Sequence, residues 1–136
     1  MAALTGPRNT PLRHGDILAF PVKAATTIHQ GSLVVSDAGY AAPGRVATAL
    51  VALGRAEGSA TAVAAGDAQI EVRTGTFKFA NSAATDEIKQ ADVGQDCFIV
   101  DDQTVAKTSG TNTRSRAGIV TAVEDDGVWV QIGLGR

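Results

Sequence analysis

The stretch Arg114-Ser115-Arg116-Ala117-Gly118-Ile119-Val120-Thr121-Ala122-Val123-Glu124-Asp125-Asp126-Gly127-Val128-Trp129-Val130-Gln131-Ile132 decides the fold class. Ser115, Ala117, Ile119, Thr121 and Val123 alternate with Arg114, Arg116, Gly118, Val120 and Ala122. After the break, Val128, Val130 and Ile132 alternate with Trp129 and Gln131. A period of two marks a strand, because successive side chains leave opposite faces. Glu124-Asp125-Asp126-Gly127 reads as the turn, with glycine where positive φ is needed. The stretch predicts a β-hairpin.

Upstream, the text keeps the same rhythm of short apolar runs broken by glycine. In residues 68–79, Ile70, Val72, Thr74 and Thr76 share one parity, while Glu71 and Arg73 take the other. After Gly75 the bulky residues switch parity to Phe77 and Phe79, as a bulge or sharp strand bend would produce. Residues 16–22 end on Pro21-Val22 and suit an edge strand, where a missing backbone donor is tolerated. Leu33-Val34-Val35, then Asp37-Ala38-Gly39, then Tyr40-Ala41-Ala42 predict a second hairpin. Residues 46–56 have helix-forming composition, but the surrounding rhythm and Gly54 favour a strand. Thr85-Asp86-Glu87-Ile88 suits a single helical turn before Val93-Gly94. Cys97-Phe98-Ile99-Val100 is an uninterrupted apolar run, expected to be buried on both faces. Asp101-Asp102 then reads as a turn and residues 109–113 as a loop. Strands at this spacing predict an all-β fold, a small β-barrel or sandwich. No clear repeat is visible, and the halves read as a loose pair of β-meanders.

Residues 1–14 stand apart. They lack any apolar period and carry Pro7 and Pro11 with Arg8, Leu12, Arg13 and His14. Proline removes backbone donors and disfavours helix. The expectation is an extended N-terminal arm over 1–14, tied down only on a partner, and a single β domain over 15–136.

The chain is poor in reactive groups: two histidines, one cysteine, one tryptophan and one tyrosine in 136 residues, at a net charge of −2. An enzyme site needs such groups clustered in defined roles. Here they are scattered singly. Cys97 lies in an apolar run and reads as a small core residue. A lone cysteine excludes a disulfide framework and a cysteine-rich zinc site. The acidic clusters Asp86-Glu87, Asp101-Asp102 and Glu124-Asp125-Asp126 read as solvated turns, because calcium needs six to eight converging oxygens. His14 and His29 lack partners at ligand spacing. No Gly-x-Ser-x-Gly elbow or phosphate-binding glycine loop is present. No catalytic residue, metal or cofactor is therefore expected.

Arg114, Arg116 and Lys107 form a candidate basic patch. Nucleic-acid readers of the barrel type interleave such charges with exposed aromatics, and this chain has few. A solvated strand face is the plainer reading, and no direct nucleic-acid partner is expected. No apolar run approaches the ~20 residues of a membrane span, and residues 1–8 lack the apolar centre of a signal peptide. Trp129 sits on the parity opposite to three aliphatics. Either its strand is buried on both faces, or it covers a contact between subunits, where aromatics are enriched.

Several stretches resemble the capsid decoration, or head cement, proteins of phages and prophages. They are Gly15-Asp16-Ile17-Leu18, Ala52-Leu53-Gly54-Arg55-Ala56, Gly66-Asp67-Ala68-Gln69-Ile70-Glu71-Val72, Thr74-Gly75-Thr76-Phe77-Lys78-Phe79, and Cys97 through Ala106. Ala117-Gly118-Ile119-Val120 and Gly127 through Ile132 add to it. The likeness covers most of residues 15–132 and rests on strand rhythm; the arm has no matching motif. It implies a compact β domain, usually a homotrimer, on the outer surface of the virion's head. There it would bind major capsid protein at three-fold and quasi-three-fold junctions and clamp neighbouring subunits against internal DNA pressure. The candidate contact residues are Arg8, Pro11, Leu12 and Arg13 of the arm, and Trp129. The competing readings are a tail or head-completion subunit, a carbohydrate- or oligonucleotide-binding β-barrel, and a small enzyme, which the residue inventory opposes.

Overall fold

A computed structural model describes residues 2–136, and Met1 lies outside the described residues. Twelve strands run in chain order: β1 (Ile17–Pro21), β2 (Thr26–Ile28), β3 (Leu33–Asp37), β4 (Tyr40–Pro43), β5 (Val51–Ala56), β6 (Ala60–Ala62), β7 (Gln69–Arg73), β8 (Gly75–Phe79), β9 (Asp96–Ile99), β10 (Val105–Ala106), β11 (Arg116–Glu124) and β12 (Gly127–Ile132). In place of the single helical turn expected at residues 85–88 there are two 3-10 turns, Ala84–Asp86 and Gln90–Asp92, and only the first overlaps those residues. The fold is all-β, as the alternation predicts.

The strands form two five-stranded antiparallel sheets, ordered β1-β7-β5-β3-β4 and β10-β9-β11-β12-β8, with a two-stranded ribbon β2-β6. The bend predicted at Gly75 is where the chain leaves one sheet and enters the other. Gly75 takes φ 156°, a backbone shape that favours glycine. The parity switch is thus a change of sheet rather than a bulge within one strand.

The expectation of no repeat is corrected. Numbered by appearance within each half, both five-stranded sheets read 1-5-4-2-3. The registers coincide as well. Arg55 pairs with Arg73 as Ile119 pairs with Gln131, and Ala56 pairs with Val72 as Val120 pairs with Val130. Val34 pairs with Gly54 as Cys97 pairs with Gly118, and one residue, Leu53 or Ala117, bulges out beside each pair. Gly31 N–H donates to the Ala56 carbonyl at 3.0 Å, and Gly94 N–H donates to the Val120 carbonyl at 2.8 Å. Gly31 and Gly94 both take φ 88°. The chain is two topologically equivalent lobes in tandem, an N-lobe (β1 to β7) and a C-lobe (β8 to β12). In each, an isolated parallel bridge, Val22 to Ala41 or Ala80 to Thr104, touches the two edge strands together. No ladder extends either bridge, so barrel closure is not seen and the arrangement is compatible with a sandwich.

Each sheet curls around its own apolar interior, and the two interiors are closed differently. The N-lobe core holds Val22, Val34, Ala41, Leu53, Ile70 and Val72, and the ribbon covers it with Ile28 and Ala62. The C-lobe core holds Phe79, Cys97, Val105, Val120, Val128 and Val130. Its cover is the outward face of the N-lobe, through Leu33, Val35, Ala42 and Leu50. The cause lies in one connection. Between β5 and β7 the chain has room for β6, whereas β11 and β12 are joined by Asp125-Asp126 alone. Lacking a ribbon, the C-lobe adds only Ile88 of its own, held by Asn81, and borrows the rest of its cover. Burying each such Val, Leu or Ile side chain contributes roughly 1.5–3 kcal/mol.

Polar contacts fix the seam. Leu33 N–H donates to the Asp102 carbonyl at 2.8 Å. Buried Ser115 donates its hydroxyl to the Ala47 carbonyl at 2.7 Å and accepts from Leu50 N–H at 3.0 Å.

Several local expectations change. In the β3–β4 hairpin, both central residues, Ala38 (φ 51°) and Gly39 (φ 93°), are left-handed, as a tight hairpin turn needs. In the β11–β12 hairpin Gly127 is not left-handed. Glycine is required there because a Cβ would lie 2.9 Å from the Phe79 carbonyl oxygen. The strict alternation read along residues 114–123 fails, since β11 carries two register shifts, at Ala117 and at Thr121. Residues 46–56 are strand only over Val51–Ala56, and Ala49 turns at φ 61°. In β9, Cys97 and Ile99 are fully buried but Phe98 is half-buried, so the strand has one core face rather than two.

Candidate interaction surface

Residues 2–14 form no strand or helix, and every one is exposed. Leu12 is 78% exposed and Leu4 72%. The hydrogen bonds of this segment run within itself: Thr10 N–H to the Arg8 carbonyl at 3.1 Å, and the Arg8 guanidinium to the Thr10 hydroxyl at 3.4 Å. Among the described residues Arg8 and Arg13 enter no ion pair. Arg8, Pro11, Leu12 and Arg13 therefore lie on one exposed segment. The part of the arm expectation that concerns Met1 falls outside the described residues.

Trp129 is on the outward face of the C-lobe sheet. Its neighbours Val128 and Val130 are fully buried, while Trp129 and Gln131 are half-buried. The reading in which β12 is buried on both faces does not hold. The indole N–H donates to a Glu124 carboxylate oxygen at 2.6 Å. The Lys78 ammonium lies 6.0 Å from the ring centroid and bonds Asp126 at 2.9 Å. Asp126 holds the Lys78 pKa above its ordinary value, and Lys78 holds that of Asp126 below its own. The hairpin tip thus fixes one aromatic ring in one orientation. Among the described residues, no hydrogen bond joins this cluster to the arm.

Arg114, Arg116 and Lys107, the candidate basic patch, are each paired with a carboxylate. Arg114 bonds Asp86 at 3.2 Å, Arg116 bonds Asp96 at 2.8 Å, and Lys107 lies 3.8 Å from Asp92. A cation paired with its own carboxylate offers little field to a phosphate backbone. The Thr108 hydroxyl and then Arg114 keep the Asp86 carboxyl below its usual range. The acidic clusters are likewise spread over local bonds: Asp101 accepts from Gln103 N–H at 2.9 Å, and Glu124 and Asp126 serve Trp129 and Lys78.

Among the described residues, no three His, Cys, Asp or Glu side chains are grouped to hold a metal ion. Burial pushes the Cys97 thiol up to about 12, and its Sγ faces the Gly118 carbonyl at 3.7 Å. That thiol packs as a core residue and is not a nucleophile. His14 and His29 are exposed and separate. No described helix is long and apolar enough to cross a membrane.

Two surface features escaped the sequence reading. Asp37 gathers Lys23 at 2.7 Å and Arg45 at 2.8 Å, beside a groove of about 390 Å³ that Thr26 and Thr27 also line. On the C-lobe, half-buried Phe98 lies in a groove of about 490 Å³ with Asp92, Gln95, Asp96 and Lys107. Reading residues 97–100 as doubly buried hid it.

No family model, no curated protein and no solved structure matches this chain.

Proposed function

We propose that the protein is a capsid decoration protein, bound as a homotrimer to the outer surface of a phage head where major capsid subunits meet. In this role it acts as a cement, without catalysis, cofactor or direct contact with nucleic acid. The observation that carries the reading is the segment 2–14. It is exposed throughout, bonded only to itself, and presents Leu4, Arg8, Leu12 and Arg13 beside a β body that needs none of them. An extended segment of this kind suits strand addition at the edge of a neighbouring sheet. Three arms on one trimer would multiply attachment without stronger single contacts. The resemblance described above supplies the partner. Trp129, oriented by Glu124 and Lys78, is proposed to lie near a subunit contact.

The test is made on heads with and without the protein. Decorated heads should retain DNA to higher temperature and resist osmotic shock longer, and the effect should saturate with occupancy. Equal robustness of bare and decorated heads would overturn the cement role. Removal of residues 2–13 should weaken attachment while the β body keeps its melting temperature.

A further inference from the structure

We propose that residues 10–12 of the arm form a strap that closes on the free edge of β1 in the same chain. β1 ends its sheet, with β7 as its neighbour. The ladder between them decides what the other edge offers. Val22 N–H donates to the Ala68 carbonyl at 2.9 Å, and Thr74 N–H donates to the Asp16 carbonyl at 2.8 Å. Bonded positions alternate along an antiparallel pair. Leu18 and Phe20 therefore direct their backbone groups to Val72 and Ile70, while Ile17 and Ala19 turn theirs to the open edge. Both Ile17 and Ala19 are exposed. The open stretch ends where the bridge from Val22 to Ala41 brings β4 alongside. An unpaired edge of this kind is a template for one more strand.

The arm carries the matching pattern. Pro7 and Pro11 share a parity. Laid out as a strand, Pro7, Asn9 and Pro11 turn their backbone groups one way, and Arg8, Thr10 and Leu12 turn theirs the other. Proline has no N–H to give, so the first edge is blunted and the second can pair. Set antiparallel to β1 through a turn over residues 13–16, Leu12 falls opposite Ile17 and Thr10 opposite Ala19. Four-residue hairpin turns are common, and Gly15, at φ 117°, supplies a pivot. Leu12 is 78% exposed and Ile17 40%, and closure sets these two aliphatics side by side on one face. A shift of one residue in either direction brings Pro11 opposite Ile17 or Ala19 and loses a donor, so the register is specified. In the open form described here, Thr10 N–H bonds the Arg8 carbonyl instead. The tether favours the chain's own edge over that of a second copy, because it keeps arm and edge at high mutual concentration. Once closed, the strap turns the arm's pairing edge inward and withholds it from a neighbouring sheet. That consequence rests on the attachment reading above; the strap itself does not.

The full chain is tested by disulfide trapping with oxidised glutathione, in which buried Cys97 stays silent. Thr10→Cys with Ala19→Cys places two thiols on one face of the closed strap, and Asn9→Cys with Ala19→Cys places them on opposite faces. The first pair should close an intramolecular bond at least about tenfold faster than the second. Adding Leu12→Pro to the first pair should abolish that advantage, and adding Asn9→Pro, which keeps the natural parity, should preserve it. Equal rates for the two pairs, equal effects of the two prolines, or a bond formed between molecules would each overturn the strap. On heads, the oxidised first pair should attach at least about tenfold more weakly than its reduced form. Equal attachment of the two forms would overturn the withholding role. Failure of wild type to attach would remove the capsid reading, while the trapping rates, measured without heads, would still decide the strap.

Discussion

Gly54 and Gly118 show how narrowly single positions are set. A Cβ on Gly54 would lie 2.2 Å from the Arg73 carbonyl oxygen, and one on Gly118 would lie 2.1 Å from that of Gln131. Both collisions are with backbone, which cannot swing aside. Gly54→Ala and Gly118→Ala should each cost more than about 2 kcal/mol, whereas Gly58→Ala, in open space, should cost little. Urea midpoints at unchanged slope would check this. Cys97 makes a second case. With its pKa at about 12 and no exposure, it should ignore a thiol reagent at neutral pH in the native protein. It should react fully once urea unfolds the chain.

Charges at the surface predict a pH profile. Lys23 and Arg45 depress the carboxyl of Asp37, Arg55 that of Glu57, Thr108 and Arg114 that of Asp86, and Lys78 that of Asp126. A depressed carboxyl stabilises the fold above its unfolded value, 3.8 for Asp and 4.5 for Glu, and that contribution is lost as pH falls through the lower folded value. Lys78 has the opposite sign. Its contribution is present below 10.5 and lost as pH rises through the raised folded value. Stability should be level between about pH 5.5 and pH 9.5 with respect to these groups. Asp37→Asn should flatten the acid limb, as urea midpoints across pH would show.

At the level of elements, the sequence was legible where one face of a strand meets a core and the other meets water. Val128, Val130 and Ile132 against Trp129 and Gln131 is such a case, and the placement of the tryptophan follows from it. Bulges are less legible. Ala117 and Thr121 shift the parity of β11 twice, so the alternation read along residues 114–123 does not carry through the strand. The Phe98 groove was missed because an apolar run looks the same whether one face or two are covered. The duplication was hidden for a related reason. Outward residues follow what covers them, so buried Leu33 corresponds by register to exposed Asp96, and the small Val35 to the larger Phe98. The signal that survives is in the backbone: the pairs Gly31 with Gly94, Gly54 with Gly118, and Gly75 with Gly133. Trp129→Ala removes no core contact of β12. It should lower the sedimentation coefficient of the assembly more than it lowers the monomer's melting temperature.

For the whole molecule, the borrowed cover of the C-lobe makes the two halves unequal. A fragment of residues 75–136 should stay unfolded, with collapsed amide dispersion in NMR spectra, because its core lies open without Leu33, Val35 and Leu50. A fragment of residues 15–74 carries its own ribbon and should keep native-like strand pairing. Adding the second to the first should restore dispersion to the 75–136 fragment. Loss of structure in the 15–74 fragment alone would mean that the seam, and not the ribbon, holds that lobe.

That inequality also runs along the time axis of synthesis. The lobe with its own lid emerges from the ribosome first, and the remaining 60 or so residues need roughly 3–12 s more at ordinary elongation rates. During that interval Leu33, Val35 and Leu50 face solvent on a finished sheet. The late half then has a ready surface on which to settle, and its strands need not find one another unaided. The same interval is the moment of greatest exposure to wrong partners. Conditions that slow translation past residue 74 should lengthen the life of that half-made surface, and chaperone engagement should rise with it.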